Sequence, residues 1–525
     1  MKTLLRSTLR STPFKLLATV AVLGSVACDR ALANAKLPAF FSDGMVLQRE
    51  ARVPIWGTAD VGEVVTVSVA GQTVRSTADA AGKWMVDLAP LPVGAPLEVA
   101  VEGKNKLKVR DVLVGEVWLA SGQSNMRMAV KDANDATAEM AAANYPQVRM
   151  FRNRLGASAV PLTDAPGKWL DATPTNVGDF SAAAYFFARE VHQKLGVPVG
   201  ILHTSWGGTV IESWTPPAAL KTDEDFKVIF DRWQRYQQNY PAAKADYDVK
   251  KAAWVEAAAA AKAAGKEPPK EPAEPMSPDS NYAHMRPGSL YNAMIAPFVP
   301  YAIRGFLWYQ GEYNAPRAYE YRKLFPNLIR SWRTDWNQEL PFLFVQLANY
   351  KDPVKEPGDA QWAELREAQL MALALPRTGM ATAVDVGENW DIHPKNKQAV
   401  GHRLALVALA QVYGQNIPYS GPLYDSMTVE GNTIRLRFKH THGGLVAKDG
   451  LLKSFAIASE DKKWVWADVR IDGETVVVSS PAVANPVAVR YAWADNPPST
   501  LYNGADLPAS PFRTDDWPLS TQIKP

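Results

Sequence analysis

The chain has 525 residues, 47% of them hydrophobic and 21% charged. That balance excludes a disordered or fibrous protein and supplies enough apolar side chain for more than one domain. Residues 1–35 carry five basic side chains and one acidic, so without them the 57 basic and 54 acidic residues become 52 and 53. Such a near-neutral remainder gives no electrostatic ground for binding nucleic acid or an anionic membrane.

In chain order, residues 1–35 have the layout of a secretory signal peptide. Basic residues precede the apolar run Leu16-Leu17-Ala18-Thr19-Val20-Ala21-Val22-Leu23, and Ala33-Asn34-Ala35 puts small residues at −3 and −1 of a cleavage point. The run is too short to cross about 30 Å of hydrocarbon, so no membrane span is expected and the mature chain is placed outside the cell or in a periplasm. Cys28, the one cysteine, follows Leu23-Gly24-Ser25-Val26-Ala27. A lipid anchor there is the alternative, although Ser25 stands where a lipoprotein box usually has Leu. Otherwise the mature chain has no cysteine, so its stability in an oxidising space must come from its core.

Residues 36–111 read as an N-terminal antiparallel β domain. Val53–Gly57, Val64–Val69, Lys83–Leu88 and Leu97–Val101 are short runs separated by turn residues. At Val112 the texture changes. Apolar strands at 115–120, 199–203, 303–309 and 341–346 alternate with helical stretches such as Ala182–Leu195. That alternation predicts a parallel sheet covered on both faces over residues 112–418. Within it, about 220–280 reads as a helical insertion, rich in Ala and Lys and followed by a Pro- and Glu-rich connection. It reads as a solvated arm, with a lid or partner surface as the alternative. Residues 419–525 return to short strands at 434–438, 455–458, 475–479 and 487–491, a second β region.

Four segments just past apolar strands hold unusual polar residues, where open α/β sheets place their sites. Ser124 follows the strand 115–120 and a Gly-Gln turn; taken alone it reads as a helix cap. His203-Thr204-Ser205-Trp206-Gly207-Gly208-Thr209 pairs two glycines that leave backbone N–H groups open to a ligand or make a tight turn. Trp308-Tyr309-Gln310-Gly311-Glu312-Tyr313-Asn314 crowds amides and a carboxylate after a strand. Asp391-Ile392-His393-Pro394 places an Asp two residues from a His, ahead of a helix predicted over 397–413. Together, a Ser, N–H donors and a His with a carboxylate are what acyl transfer needs. No HExxH spacing or Cys cluster points to a metal, and no cofactor motif is present.

Gly122-Gln123-Ser124-Asn125-Met126, Trp206-Gly207-Gly208-Thr209, Trp308-Tyr309-Gln310-Gly311-Glu312 with Asn314, and Asp391 through Lys397 resemble the blocks of the sialate O-acetylesterase family of SGNH hydrolases. The resemblance implies a flavodoxin-like, three-layer α/β/α catalytic domain with β-sandwich-like regions at both ends. It also implies a metal-free enzyme that removes acetyl groups from sugars. By the same resemblance Ser124 is the nucleophile and His393 the base, while the backbone N–H of Ser124, Gly208 and Asn314 form the oxyanion hole. Gln123 departs from the Asp of the wider superfamily, as is usual in this branch. The superfamily's Asp three residues before His is replaced by Trp390; Asp391 is taken as the orienter, with Asp385 or a backbone carbonyl as alternatives.

Gln123, Arg127, Trp206, Gln310 and Glu312 are candidate substrate-binding residues. Trp206, Trp308 and Trp390 could stack on sugar rings or pack, and Arg127 and Arg317 could meet a sialate carboxylate or pair with surface acids. The expected partner is an acetylated carbohydrate: sialic acid, or a hemicellulose such as xylan or xyloglucan. A noncatalytic carbohydrate-binding protein on an esterase scaffold is the rival reading.

Overall fold

The computed structural model describes residues 34–280 and 283–522; the signal-like run and Cys28 lie outside the described residues. Seven strands build the central sheet: β1 (Lys106–Gly122), β2 (Tyr145–Asn153), β3 (Gly167–Ala172), β4 (Val199–Ser205), β5 (Gly305–Tyr309), β6 (Phe342–Gln346) and β7 (Thr378–Thr382). Their order is β7-β6-β5-β1-β4-β2-β3. All neighbours run parallel except β3, which lies antiparallel on β2. The sheet is therefore mixed, where the sequence predicts a parallel one. Pro146, Arg149 and Arg152 in β2 and Lys168 and Asp171 in β3 break any continuous apolar run. β3 is the edge strand and β2 beside it is buried only over Val148–Phe151, which is why they do not read as buried strands.

Strands β4 to β7 are buried along their whole length, β7 included although it ends the sheet. Five helices are numbered here: α1 (Ala182–Leu195), α2 (Lys227–Ala263), α3 (Ala318–Trp336), α4 (Gln361–Met371) and α5 (Lys397–Gln411). Trp118 of β1 packs edge-on against Phe187 of α1 and donates its Nε1 hydrogen to Tyr413 just beyond α5, 3.1 Å away. Trp118 pairs with Gly305, and the next residue, Phe306, packs on Trp332 and Trp336 of α3. Successive strand side chains point to opposite faces, so α1 and α3 cover opposite faces of the sheet. Local capping fixes where helices begin. Ser181 accepts from the Ala184 amide ahead of α1, and Asn396 from the Ala399 amide ahead of α5.

β1 is shared. Its first half pairs antiparallel with Leu97–Glu102 of the N-terminal β region and its second half is the centre of the main sheet. An aromatic cluster of Phe40, Phe41, Trp56, Phe151, Phe298 and Tyr301 joins the two, and Tyr301 donates its hydroxyl hydrogen to the Val46 carbonyl.

The C-terminal region has its own core, with Ile434, Leu436, Phe455, Ile457, Val476, Val478 and Tyr491 between two four-stranded sheets. The fully buried Arg366 of α4 fastens it to the central domain. Its guanidinium donates to the carbonyls of Leu347 and Ala348 on one side and Ala494 and Asp495 on the other, at 2.8–2.9 Å. α2 is the helical insertion; of its 37 residues only Ile229 is buried. Among the described residues no helix is long and apolar enough to cross a membrane.

Candidate active site

The four polar segments follow β1, β4, β5 and β7 at their carboxyl ends, around the centre of the sheet where the strand order reverses. β1 ends at Gly122, whose φ is +138°, and a Cβ there would stand 2.1 Å from the Tyr309 carbonyl oxygen. Only glycine lets β1 and β5 close to this distance. The chain then turns, and Ser124 opens a one-turn helix, Ser124–Arg127. The turn after β4 lies against it: a Cβ on Gly207 would be 3.2 Å from Ser124 Cβ, and Gly208 adopts the left-handed φ of +68°. The backbone N–H groups of Ser124 and Gly208 have no protein acceptor among the described residues.

Ser124, Asp391 and His393 line one cavity of about 640 Å³. Asp391 Oδ1 accepts from the His393 backbone N–H at 2.9 Å and lies 3.1 Å from His393 Nδ1. Both side chains are about one-third exposed. Asp385 is engaged elsewhere: Arg403 holds it with two hydrogen bonds of 2.6 and 2.7 Å, and Tyr502 donates to it at 2.9 Å.

The rest of the cavity wall is rich in charge. Arg127, Lys131, Arg152 and Lys395 face Asp132, Asp179 and Asp391. Asp179 takes both Lys131 and Arg152. Arg127 makes no ion pair among the described residues; it donates to the Ser205 carbonyl at 3.3 Å, and burial and the nearby Arg152 charge lower its pKa. His203, also in the wall, has its Nε2 2.7 Å from Ser205 Oγ. Burial, with Arg127 and Arg152 adding to it, pushes its pKa down to about 3, so it stays neutral at ordinary pH.

The other candidates sit behind the cavity. Asn314 is buried: its Oδ1 accepts from the Ile211 amide and from Gln310, and its Nδ2 donates to Glu212 at 2.9 Å. Gln310 also donates to the Thr209 carbonyl, so both residues grip the turn that carries Gly208. Gln123 is buried and accepts from the Gly311 amide. Buried Glu312 accepts from Asn125 at 2.5 Å. Arg317 pairs with Glu212. Trp308 is wholly buried against Trp214 and Trp332, a packing residue. Trp206 stacks on His284, whereas Trp390, next to Asp391, is 82% exposed.

Sequence reasoning passed over Arg152, on the strand β2 that it did not read, and gave no role to Asn125 or Lys397 within the quoted blocks. Among the described residues no three His, Cys, Asp or Glu side chains are grouped to hold a metal ion.

A serine and a hydrogen-bonded His–Asp pair sharing a cavity at the strand ends of an α/β sheet mark an enzyme-type site. The family profile described as carbohydrate esterase, sialic acid-specific acetylesterase, matches residues 114–247 and 279–410. The sialate O-acetylesterase of Rattus norvegicus is 30% identical over 91% of this chain and 94% of its own length. That of Homo sapiens is 30% identical over 91% and 92%. XAC1771, described as a novel carbohydrate acetylesterase from Xanthomonas citri, has a crystal structure that aligns with a TM-score of 0.78 and 38% identity. The alignment covers 92% of this chain and all of that one. The chain belongs to this carbohydrate esterase family, and its activity is that of a carbohydrate O-acetylesterase.

Proposed function

We propose that the protein is a secreted serine esterase with an SGNH-type, flavodoxin-like three-layer catalytic domain at 112–418, flanked by β regions at 36–111 and 419–525. The observation that carries the mechanism is the single cavity lined by Ser124, His393 and Asp391. Ser124 Oγ attacks the acetyl carbonyl carbon while His393 takes its proton. The N–H groups of Ser124 and Gly208 stabilise the oxyanion, and Asn314, expected from the sequence to complete the hole, braces from behind the turn that carries Gly208. The intermediate collapses, the bond to the sugar oxygen breaks, and His393 protonates that oxygen. Water, deprotonated by His393, then attacks the acetyl-serine, and acetate leaves with Ser124 restored. Asp391 holds the imidazole in the orientation both halves need.

For the substrate we favour an acetylated sugar bearing a carboxylate, such as sialic acid. Arg127, exposed in the cavity wall and in no ion pair among the described residues, is a ready partner for that group, since Arg binds carboxylates in a planar, two-pronged way. Trp390 supports a second reading, a neutral hemicellulose lying across the cavity mouth, because an exposed indole beside the base-bearing loop is a stacking platform for a sugar ring.

Acetate release by the native protein and Ser124→Ala, on O-acetylated sialic acid, acetylated xylan and acetylated xyloglucan oligosaccharides, tests both parts. Release by the native protein alone is expected, and Arg127→Gln should raise KM for the sialate at least tenfold while leaving neutral substrates unchanged. No release by the folded native protein on any substrate would favour the noncatalytic binding reading.

A further inference from the structure

Behind the cavity lies a buried polar cluster that the reaction above leaves unused. Asn125 follows the nucleophile in sequence and Ile392 precedes the base. The Asn125 amide joins them: its Nδ2 donates to the Ile392 carbonyl at 3.1 Å and to Glu312 Oε1 at 2.5 Å, which uses both hydrogens. Its Oδ1 accepts from Lys397 Nζ at 2.5 Å. Asn125, Glu312 and Lys397 are 1%, 7% and 0% exposed. The three come from the β1 turn, the segment after β5 and the first residue of α5, so one amide ties three strand-end segments together.

A buried ammonium and a buried carboxylate are costly to keep unless geometry repays them. Here burial lowers the Lys397 pKa to about 7 and raises that of Glu312, while each charge opposes the shift of the other. Lys397 also lies 5.1 Å over the Tyr309 ring, and the carboxylates of Asp391 and Glu388 in the base-bearing loop favour its charged form. A structure that only needed packing here would use apolar side chains. The cluster instead fixes the separation of two catalytic loops that share no strand.

We propose that Asn125, clamped between Lys397 and Glu312, is the positioning residue that sets Ser124 against His393. The proposal rests on the serine-esterase reading. A misplacement of reacting groups by about 1 Å can cost roughly 10²-fold in rate without touching the substrate. Asn125→Ala is therefore expected to lower kcat about 10²-fold with KM held within about twofold. It should also slow fluorophosphonate labelling of Ser124 by a similar factor. Glu312→Gln keeps an acceptor oxygen for Asn125 and should hold kcat within about fivefold of native. Lys397→Met, an apolar near-isostere that removes the donor to Asn125 Oδ1 and the charge opposite Glu312 while keeping the Asn125 side chain, covers the case in which Asn125→Ala does not fold. It should lower kcat at least tenfold with KM likewise unchanged.

A folded Asn125→Ala with native kcat and native labelling rate overturns the proposal. So does a Lys397→Met variant that is folded and fully active, or a loss carried mainly by KM. Ser124→Ala, run beside them, separates the two readings. If it keeps native acetate release, the serine mechanism itself fails. If it is inactive while Asn125→Ala is native, only the positioning role fails.

Discussion

At Ser124 the consequences of substitution follow from what surrounds the side chain. Ser124→Ala removes the nucleophile yet leaves the N–H groups of the turn in place, so acetate release should fall by roughly 10⁴-fold or more. Asp391 is a different case. It is about one-third exposed and touches His393 twice, through the ring and through the backbone amide. Water can replace part of what it supplies, so Asp391→Ala should cost at least about tenfold in kcat but less than the roughly 10⁴-fold loss known for a buried orienter. Steady-state kinetics of the two variants rank them.

His203 adds a pH test. Its folded-state pKa of about 3 lies below the usual value of 6.5, so between those values the unfolded chain binds a proton that the folded one refuses. Stability should therefore fall as pH drops below 6.5 and level off near 3. His203 contributes no pH dependence above 6.5. Urea unfolding at pH 7 and pH 5 should show a smaller loss for His203→Gln than for the native protein. The same residue shows how far sequence reading reaches: its place near the end of β4 was visible, but its neutral state comes first from burial in the folded chain, with Arg127 and Arg152 adding to it, and Arg152 lies on a strand without a readable pattern.

Strands β1, β4, β5 and β6 of the central sheet were legible because buried parallel strands are continuous apolar runs, and the residues that end them stand out. Ser124 and Gly208 follow such runs. What holds the His-bearing loop was not legible, because it depends on amides distant in sequence. Asn349 Oδ1 accepts from the Gly387 amide at 2.6 Å, and its Nδ2 donates to Asn496 Oδ1 at 2.6 Å. Asn496 Nδ2 in turn donates to Asn389 Oδ1 at 2.8 Å and to the Lys351 carbonyl. Asn496 belongs to the C-terminal region, so that region braces the loop carrying Trp390, Asp391 and His393. Asn496 is buried, but Asn349 is only partly buried and Asn389 is exposed, so water can take over much of what Asn496→Ala removes and the cost should be about 1 kcal/mol. The substitution should lower kcat severalfold and raise hydrogen exchange over residues 386–396, with Ser124 labelling less affected. Unchanged exchange in that loop would mean the brace carries no functional load.

Over the whole molecule, two cores are held by different devices. The N-terminal β region shares β1 and an aromatic cluster with the central domain, so the change in texture at Val112 falls inside a continuous strand. It records where that strand passes from a half-exposed pattern to burial on both faces. The C-terminal region has a separate core and is attached through Arg366 and the asparagine brace. The arm formed by α2 belongs to neither core. Beyond its first turns it is held, among the described residues, by the chain returning along it: Trp254 Nε1 donates to the Pro269 carbonyl, Lys251 pairs with Glu271, and Lys244 lies 3.8 Å from Glu274. Those contacts are local to the arm and exposed, and exposed ion pairs contribute little. The side chains of Lys244 and Glu274 meet, so the two passes of the arm come within reach of a linker there. Excising residues 245–273 through a short Gly-Ser linker should therefore leave Tm within about 2 °C and kcat on a small acetyl ester unchanged. If kcat on a polymeric substrate falls while the small ester is untouched, the arm contacts the polysaccharide. If both fall, it supports the fold of the site, through Arg232 of α2, which reaches Glu320 and Glu212 at its base.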